Sequence, residues 1–258
     1  MKIRFLLIIA LAFAMNLHAQ VKGQPKDAEY YSPVPTKVTP AKGITSAPSD
    51  AIVLFNGSNM DEWELVKNPN SSSKWDLVDG TMRVNKPNGD IQTKRKFMSF
   101  QLHIEYLIPS YVTGEGQSRG NSGIFLAALP TGMGNAGGYE LQVLDNYTNT
   151  TYVNGQVGSI YKQSPPLVNA ALPPGEWQIF DVIWTAPLFN EDGSLKSAAR
   201  MTALHNGILV QNNFELIGDT PNRGDPVYIK HGASPLKLQA HGDKSEPISY
   251  RNIWVRPL

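Results

Sequence analysis

Apolar and polar residues alternate in several short segments of this chain. The segments are residues 100–105, 121–126, 138–145 and 236–241. In the third of them, Glu140 and Gln142 fall on one side of an extended strand, and apolar residues fall on the other. The two-residue period predicts four β-strands, each with one polar side.

From residue 51 to residue 258 the chain consists of short alternating or β-branched runs separated by Gly, Asn, Asp and Pro. This pattern is typical of a single all-β domain, either a sandwich or a barrel. The sequence shows no internal repeat and no long amphipathic helix. We therefore predict one all-β domain over residues 51–258.

The polar sides of the four segments carry glutamine, histidine, glutamate and lysine. If the strands share one curved sheet, they form a polar groove, and acids next to amides suit a sugar. The alternative is a solvated outer face, because antiparallel sheets often keep one face in water. The repeated amides and histidines favour the groove.

Residues 1–19 have the pattern of a secretory signal peptide. Lys2 and Arg4 precede an apolar run at residues 5–15 that is short for a membrane span, and residues 17–19 form a cleavage site. No cysteine follows for lipid attachment, and no later segment is long and apolar enough to span a bilayer. A periplasmic or secreted protein is predicted.

Composition narrows the classes of function further. The chain has no cysteine, which excludes thiol nucleophiles, cysteine-ligated metals and disulfides. The 23 basic and 22 acidic residues nearly balance, so no basic field for nucleic acid is present. Residues 20–50 are rich in proline and predict an extended linker or a strap over the domain. A neutral partner, such as a carbohydrate, is expected.

A series of short blocks runs in a fixed order from residue 52 to the C-terminus. They are residues 52–57, 63, 75–80, 92–94, 121–124, 139–145, 158–161, 175–177, 206–207, 238–242 and 250–253. In these blocks the chain resembles the 3-keto-disaccharide hydrolase domain family, formerly catalogued as a domain of unknown function. The resemblance implies a concanavalin A-like jelly roll, in which two antiparallel sheets pack face to face and a concave polar groove binds carbohydrate.

The resemblance also implies a substrate, a glycoside whose sugar a partner dehydrogenase has oxidised to a ketone at carbon 3. The ketone acidifies the hydrogen on carbon 2, so a base can remove it and the group on carbon 1 can leave by elimination. Addition of water to the enone completes a net hydrolysis. This path needs a base, a donor or cation near the ketone oxygen, and an acid for the departing oxygen.

Glu140, Glu105 and His241 are the candidate bases, and the sequence does not rank them. Each has another interpretation: Glu140 as a ligand of sugar hydroxyls, Glu105 as a solvent-facing residue and His241 as a structural histidine. Arg251 is the candidate positive charge near the enolate oxygen, because its guanidinium is always charged. Its alternative is a structural ion pair with a buried carboxylate such as Asp145.

Further residues are predicted to bind the substrate. They are Asn121, Gln142, Asp145, Tyr161, Lys162 and Gln239. The amides offer both donors and acceptors for sugar hydroxyls, although they could equally close the edge of the sheet. Lys162, on a loop, could simply be solvated. The five tryptophans are expected mainly in the core rather than stacked on sugars.

The histidines show no spacing typical of a metal site. A site in which oxygens of Glu105, Glu140 and Asp145 bind a divalent cation remains an open alternative, and no ligand set is assigned. Two other functions also remain. One is a conventional glycoside hydrolase that uses Glu105 and Glu140 as acid and base on unoxidised sugar, and the other is a carbohydrate-binding module without chemistry.

Overall fold

The computed structural model describes residues 34, 36–41, 43, 46–130 and 137–258. The predicted signal peptide, most of the predicted linker and part of the glycine-rich segment at 132–138 lie outside these residues. The chain divides into two compact units, Met1–Lys37 and Val38–Leu258. The second unit therefore begins inside the segment that the sequence marks as a linker or strap.

The described residues of the second unit form β-strands joined by loops. The strands are β1 (Ile52–Phe55), β2 (Trp63–Leu65), β3 (Asn68–Ser72), β4 (Asp76–Val78), β5 (Thr81–Arg83), β6 (Ile91–Thr93), β7 (Phe100–Leu107), β8 (Ser122–Leu129), β9 (Gly137–Val143), β10 (Trp177–Thr185), β11 (Leu188–Phe189), β12 (Leu195–Ser197), β13 (Arg200–His205), β14 (Ile208–Glu215), β15 (Lys237–Leu238) and β16 (Ser249–Pro257). Single turns of 3₁₀-helix occur at Lys86–Asn88, Gly116–Ser118 and Val153–Gly155. In this part of the chain, no helix is long and apolar enough to cross a membrane.

Two antiparallel sheets make up the fold. The eight-stranded sheet has the order β14-β13-β10-β7-β16-β5-β4, with β1 also paired to β16. The six-stranded sheet has the order β3-β2-β6-β15-β8-β9. Strands β11 and β12 form a separate hairpin. The prediction of an all-β jelly-roll sandwich of two antiparallel sheets is confirmed.

The core lies between the two sheets. Tyr139 on β9 of the six-stranded sheet packs on Trp184 on β10 of the eight-stranded sheet, with ring centroids 5.1 Å apart. The hydroxyls of Ser122 on β8 and Tyr250 on β16 lie 2.7 Å apart across the same space. Burial of the apolar side chains that point inward from both sheets is the main force that holds the sheets together.

The tryptophans mostly follow the expectation. Trp63, Trp75 and Trp184 belong to the core cluster. Trp177 and Trp254 alternate with core residues of β10 and β16 and lie on the outer face of the eight-stranded sheet. None of the five is exposed.

Turn chemistry sets the register of two hairpins. Asn206 and Gly207 join β13 to β14 with φ angles of 53° and 79°. Asp79 and Gly80 join β4 to β5 with φ angles of 48° and 70°. Tight two-residue hairpins need positive φ at both positions, which Asn-Gly and Asp-Gly adopt at low cost.

Within the second unit, the described residues from Val38 to Asp50 lie against the eight-stranded sheet. Arg256 on β16 donates from Nε to Asp50 Oδ2 at 2.5 Å. Val38, Pro40 and Trp254 help to line a cavity of about 400 Å³ beneath this segment. The outer face of the eight-stranded sheet is therefore partly covered by the chain itself.

One part of the sequence interpretation is wrong. Three of the four alternating segments contribute β8, β9 and β15 to the six-stranded sheet, but residues 100–105 lie in β7 at the middle of the eight-stranded sheet. The two-residue period identifies the two sides of each strand, but it does not say which sheet the strand joins. The polar side of β7 therefore lies on the outer face of the eight-stranded sheet. The polar sides of β8, β9 and β15 lie on the outer face of the six-stranded sheet.

Candidate active site

Polar side chains cross the outer face of the six-stranded sheet in two adjacent rows. In the first row, the strand register aligns Glu64 with Gln92, Gln92 with Lys237, Lys237 with Phe125, and Phe125 with Glu140. Their neighbours along each strand, such as Ile91 and Leu141, are fully buried in the core. The two-residue period therefore turns the whole row away from the core.

The second row lies one step along the same strands. It contains Asp90, Gln239, Gly123 and Gln142, since Gln142 pairs with Gly123 and the Gln239 N–H donates to the Gly123 carbonyl at 3.0 Å. The polar residues of the two rows are called the polar face below: Glu64, Asp90, Gln92, Glu140, Gln142, Lys237 and Gln239.

The side chain of Glu140 leans from the first row over the second. A Cβ atom at position 123 would overlap Glu140 Oε1 and lie 2.9 Å from Glu140 Cδ. Only a glycine at position 123 leaves this space for the carboxyl group. The sheet thus contains a cradle for Glu140 between Gln142 and Gln239.

Gln239 has a buried carbonyl oxygen, Oε1, without a hydrogen-bond partner among the described residues. Buried polar atoms are nearly always paired, and leaving one unpaired costs about 1–3 kcal/mol. The atom belongs to the residue beside the Glu140 cradle. It is therefore suited to accept a hydrogen bond from a ligand, such as a sugar hydroxyl.

The environment of Glu140 favours its neutral form. The side chain is 5% exposed, and burial raises its pKa to about 8, with the nearby positive charge of Lys237 acting in the opposite direction. Asp90 raises the pKa further by charge repulsion. A carboxyl group tuned in this way is a much stronger base than an ordinary glutamate.

Lys237 is the cation of the polar face. Its side chain is fully buried, and burial lowers its pKa to about 8, while Asp90 and Glu140 raise it. Its Nζ lies 3.8 Å from Asp90 Oδ2 and 3.5 Å from the centre of the Phe125 ring. Such a desolvated ammonium acts strongly on any negative charge that develops nearby.

The far end of the first row is ordered by hydrogen bonds. Gln92 donates from Nε2 to Glu64 Oε1 at 2.9 Å, and the Asn70 N–H donates to Glu64 Oε2 at 2.7 Å. Gln92, Asp90 and Gln239 are only partly buried. These residues give the polar face its contact with solvent, and a ligand would approach the Glu140 carboxyl from their side.

His241 lies just after β15 and pairs with the Asp243 carboxylate. Its Nδ1 lies 2.6 Å from Asp243 Oδ2, and its side chain is 34% exposed. Lys86 Nζ donates to Asp243 Oδ1 at 2.8 Å, and the Ser245 N–H donates there at 2.7 Å. These hydrogen bonds hold the pKa of the Asp243 carboxyl far below its usual range, although burial opposes them. A fixed carboxylate of this kind orients the imidazole through Nδ1.

Tyr161 and Lys162 lie beside the polar face rather than on it. The Tyr161 N–H donates to the Glu140 carbonyl at 3.1 Å. Both residues line a separate pocket at the edge of β9. Burial raises the Tyr161 pKa, with a hydrogen bond to Tyr152 and the charge of Glu140 as further causes.

Two other predicted amides have structural partners. Gln142 donates from Nε2 to Asn121 Oδ1 at 3.0 Å, and Asn121 donates from Nδ2 to the Gln117 carbonyl at 2.7 Å. Both side chains are buried. This arrangement matches the alternative in which amides close the end of the sheet, although Gln142 still flanks the Glu140 cradle.

Asp145 is also held within the protein. Arg119 donates from Nε to Asp145 Oδ2 at 2.6 Å, and the Tyr147 N–H donates to Oδ1 at 3.1 Å. The Asp145 side chain is 2% exposed. Asp145 thus anchors the loop after β9, and its partner is Arg119 rather than Arg251.

Glu105 and Arg251 lie on the eight-stranded sheet, away from Glu140. Arg251 donates from Nε to Glu105 Oε2 at 2.6 Å, and Asn252 donates from Nδ2 to Glu105 Oε1 at 2.8 Å. The Arg251 guanidinium stacks 3.9 Å from the centre of the Trp177 ring. The core separates this cluster from the polar face, so the four predicted catalytic residues do not form one site.

The described residues contain no group of three or more His, Asp or Glu side chains placed to hold a metal ion. Glu105, Glu140 and Asp145, considered together from the sequence, lie on different elements with different partners. A shared ligand set of these three oxygen donors is therefore not formed.

The sequence interpretation missed Lys237, Gln92, Asp90 and Asp243. Lys237 does carry a signal, because it is a lysine between two leucines in an alternating run. Gln92 lies on β6, and this strand of three residues is too short for a two-residue period to be recognised. Asp90 and Asp243 lie in loops, which have no such period. Their grouping depends on β15 inserting between β6 and β8, which no local pattern reveals.

Comparisons with known proteins agree with this architecture. A family model described as "3-keto-alpha-glucoside-1,2-lyase-like domain" matches residues 50–256. A crystal structure described as a "putative glycosyl hydrolase" from Parabacteroides distasonis ATCC 8503 is 52% identical, with a TM-score of 0.84, and the match covers 91% of this chain and 97% of that one.

Two further structures with the same description and source share the fold at low sequence identity. One is 18% identical with a TM-score of 0.57 and covers 81% of this chain and 94% of that one. The other is 19% identical with a TM-score of 0.54 and covers 81% and 99%. No protein with a curated description matches the chain.

Proposed function

Because the chain belongs to the 3-keto-alpha-glucoside-1,2-lyase-like domain family, we propose that it cleaves 3-keto-glycosides. Family membership and the 52% identical structure support a carbohydrate-active enzyme. The observation that carries the finer proposal is the buried Glu140 carboxyl, whose pKa is raised to about 8, beside Lys237 and the unpartnered Gln239 oxygen.

In the proposed reaction, the Glu140 carboxylate removes the proton from carbon 2 of the 3-keto sugar. The electron pair moves onto the ketone oxygen, where the positive charge of Lys237 stabilises the enolate. Collapse of the enolate expels the group on carbon 1 and leaves an enone. The protonated Glu140 can return its proton to the departing oxygen, and addition of water to carbon 1 yields the net hydrolysis.

Lys237 takes the role that the sequence interpretation gave to Arg251. Arg251 neutralises Glu105 on the eight-stranded sheet, whereas Lys237 lies in the same row of the polar face as Glu140. His241 is a second candidate for the base, because Asp243 fixes its ring and its side chain is 34% exposed. Glu140 is preferred because its cradle adjoins the unpartnered oxygen of Gln239.

The two alternative functions fit the structure less well. A conventional glycosidase that uses Glu105 and Glu140 needs its carboxyl groups within about 5–9.5 Å, but these two lie on opposite outer faces of the sandwich. A non-catalytic binding module with a flat aromatic platform would expose tryptophan, and none of the five tryptophans is exposed.

Export and a pathway partner complete the proposal. The signal-peptide pattern of residues 1–19 supports a periplasmic or secreted enzyme. A dehydrogenase that oxidises carbon 3 must act before this protein, since elimination requires the ketone.

The test of the proposed function is a comparison of a 3-keto-glucoside with its unoxidised parent. We expect the purified protein to release the leaving group from the keto form only, because only that form has an acidic hydrogen on carbon 2. Release from the parent would contradict the proposal, and so would the absence of turnover across a panel of keto-glycosides. A parallel assay with a chelator tests metal dependence.

The pH dependence of kcat/KM should form a bell with its maximum near pH 8. Glu140 must lose its proton to act, so activity should rise with pH up to its pKa of about 8. Lys237 must keep its proton, so activity should fall above its pKa, also about 8.

The Lys237→Met variant provides the control for this assignment. Removal of the lysine charge should move the acid limb to higher pH, because Lys237 lowers the Glu140 pKa, and should abolish the alkaline limb. In the protein without substitutions, an acid limb well below pH 8 would show that Glu140 is not the base.

A further inference from the structure

A pocket of about 520 Å³ lies between two loops at the edge of β9. Its lining includes Tyr152, Asn154, Tyr161, Lys162, Asp225 and Pro226. The first four belong to the loop between β9 and β10, and the last two to the loop between β14 and β15. The volume is within the range of about 300–1,000 Å³ that is common for small-molecule sites.

Both walls of the pocket are attached to the main chain of Glu140. The Tyr161 N–H donates to the Glu140 carbonyl at 3.1 Å. The Glu140 N–H donates to Thr220 Oγ1 at 2.9 Å, and Thr220 leads directly into the second loop. The pocket therefore lies next to the strand position that carries the proposed base.

The lining combines aromatic rings with hydrogen-bonding groups. Tyr152 is 42% exposed, its hydroxyl lies 2.8 Å from that of Tyr161, and their ring centroids are 6.4 Å apart. Asn154 and Asp225 add an amide and a carboxylate. Ring faces for C–H groups and mixed donors and acceptors for hydroxyls suit a sugar better than an apolar group.

The pocket is also built to a fixed shape. Lys162 has a φ angle of 59°, which is uncommon for a residue with a side chain, and its N–H donates to the Asn154 carbonyl at 2.8 Å. Its ammonium group bonds Asn222 on the opposite loop. Tyr152 packs directly over Gly155, where a Cβ would overlap its ring. These contacts hold the two loops, and therefore the pocket, in one conformation.

We propose that this pocket binds the leaving group of the substrate, which the family resemblance implies is the second sugar of a 3-keto-disaccharide. The inference rests on the proposed function for the reaction, but the pocket itself is defined by geometry independent of it. The oxidised sugar would lie on the polar face over Glu140, and the second sugar would lie between Tyr152 and the loop that begins at Thr220. Tyr152 is then a specificity-determining residue.

The test uses the full-length protein and the variant Tyr152→Ala, with Tyr111→Ala as the matched control. Tyr111 is an exposed tyrosine, 69% accessible, that does not line the pocket. Values of kcat/KM are measured for a 3-keto-glucosyl-glucose disaccharide and for methyl 3-keto-glucoside. We expect Tyr152→Ala to lower the disaccharide value about five- to tenfold and to leave the methyl glycoside value unchanged. Tyr111→Ala should change neither value.

Equal losses for both substrates, or no loss for either, would overturn the leaving-group assignment. If the protein cleaves no keto-glycoside, the proposed reaction is wrong. Calorimetric titration with free D-glucose then still tests whether the pocket binds a hexose. Glucose binding that Tyr152→Ala weakens, and Tyr111→Ala does not, would support a hexose site. Binding that is absent, or that is insensitive to Tyr152, would refute it.

Discussion

Replacement of Glu140 by glutamine is expected to lower kcat for the 3-keto-glycoside by about 10²- to 10⁴-fold, the usual contribution of a positioned base. Glutamine has nearly the same shape but cannot accept a proton. The expected readout is steady-state release of the leaving group, with exchange of the carbon 2 hydrogen for deuterium as a direct measure of proton abstraction. Both rates should fall together.

The stability of the variant separates a chemical role from a structural one. Burial already disfavours the charged form of Glu140, so a neutral amide should fold at least as well, and the melting temperature at pH 9 should not decrease. His241→Gln serves as the comparison. If Glu140→Gln keeps its activity while His241→Gln loses it, the role of base belongs to His241 and its partner Asp243.

Gly123→Ala should reduce kcat by about 100-fold although Gly123 has no functional group. The new methyl group would displace the Glu140 carboxyl and would also lie 2.9 Å from Phe125 Cε2. A shift of about 1 Å in a catalytic group can cost this factor. The added methyl should also destabilise the fold by about 1–3 kcal/mol, measured by urea unfolding.

A double-mutant cycle tests whether the effect of Gly123→Ala on activity is exerted through Glu140. If Gly123 acts only through Glu140, then Gly123→Ala should have almost no further effect on activity in the Glu140→Gln background. Additive losses would show that Gly123 supports the site in another way. Gly232→Ala is a suitable control, because Gly232 does not need a positive φ angle and a Cβ atom there would have no neighbour within 4 Å.

Much of the fold could be predicted from the sequence because strand alternation and turn residues are local signals. The alternation around Glu140 correctly separates the core side of β9 from its polar side. The Asn206-Gly207 pair marks a hairpin that the structure contains. In these cases the physical cause lies within a few residues of the pattern.

The composition of the site depended on long-range pairing, which the sequence does not show. Glu105 and Glu140 have similar local patterns, yet β7 pairs with β10 and β16 while β9 pairs with β8. Lys237 reaches the polar face only because β15, a strand of two residues, lies between β6 and β8. Such contacts are fixed by the packing of the whole sandwich.

Glu140 and its neighbours on the polar face are held by sheet hydrogen bonds, whereas the pocket beside them is made entirely of loops. Insertions and deletions accumulate in loops far more readily than in paired strands. Descendants of one ancestral gene could therefore change which group they release while the bond-breaking apparatus stays intact. Comparative surveys of such descendants should find length variation concentrated in the residues around Tyr152 and Asp225.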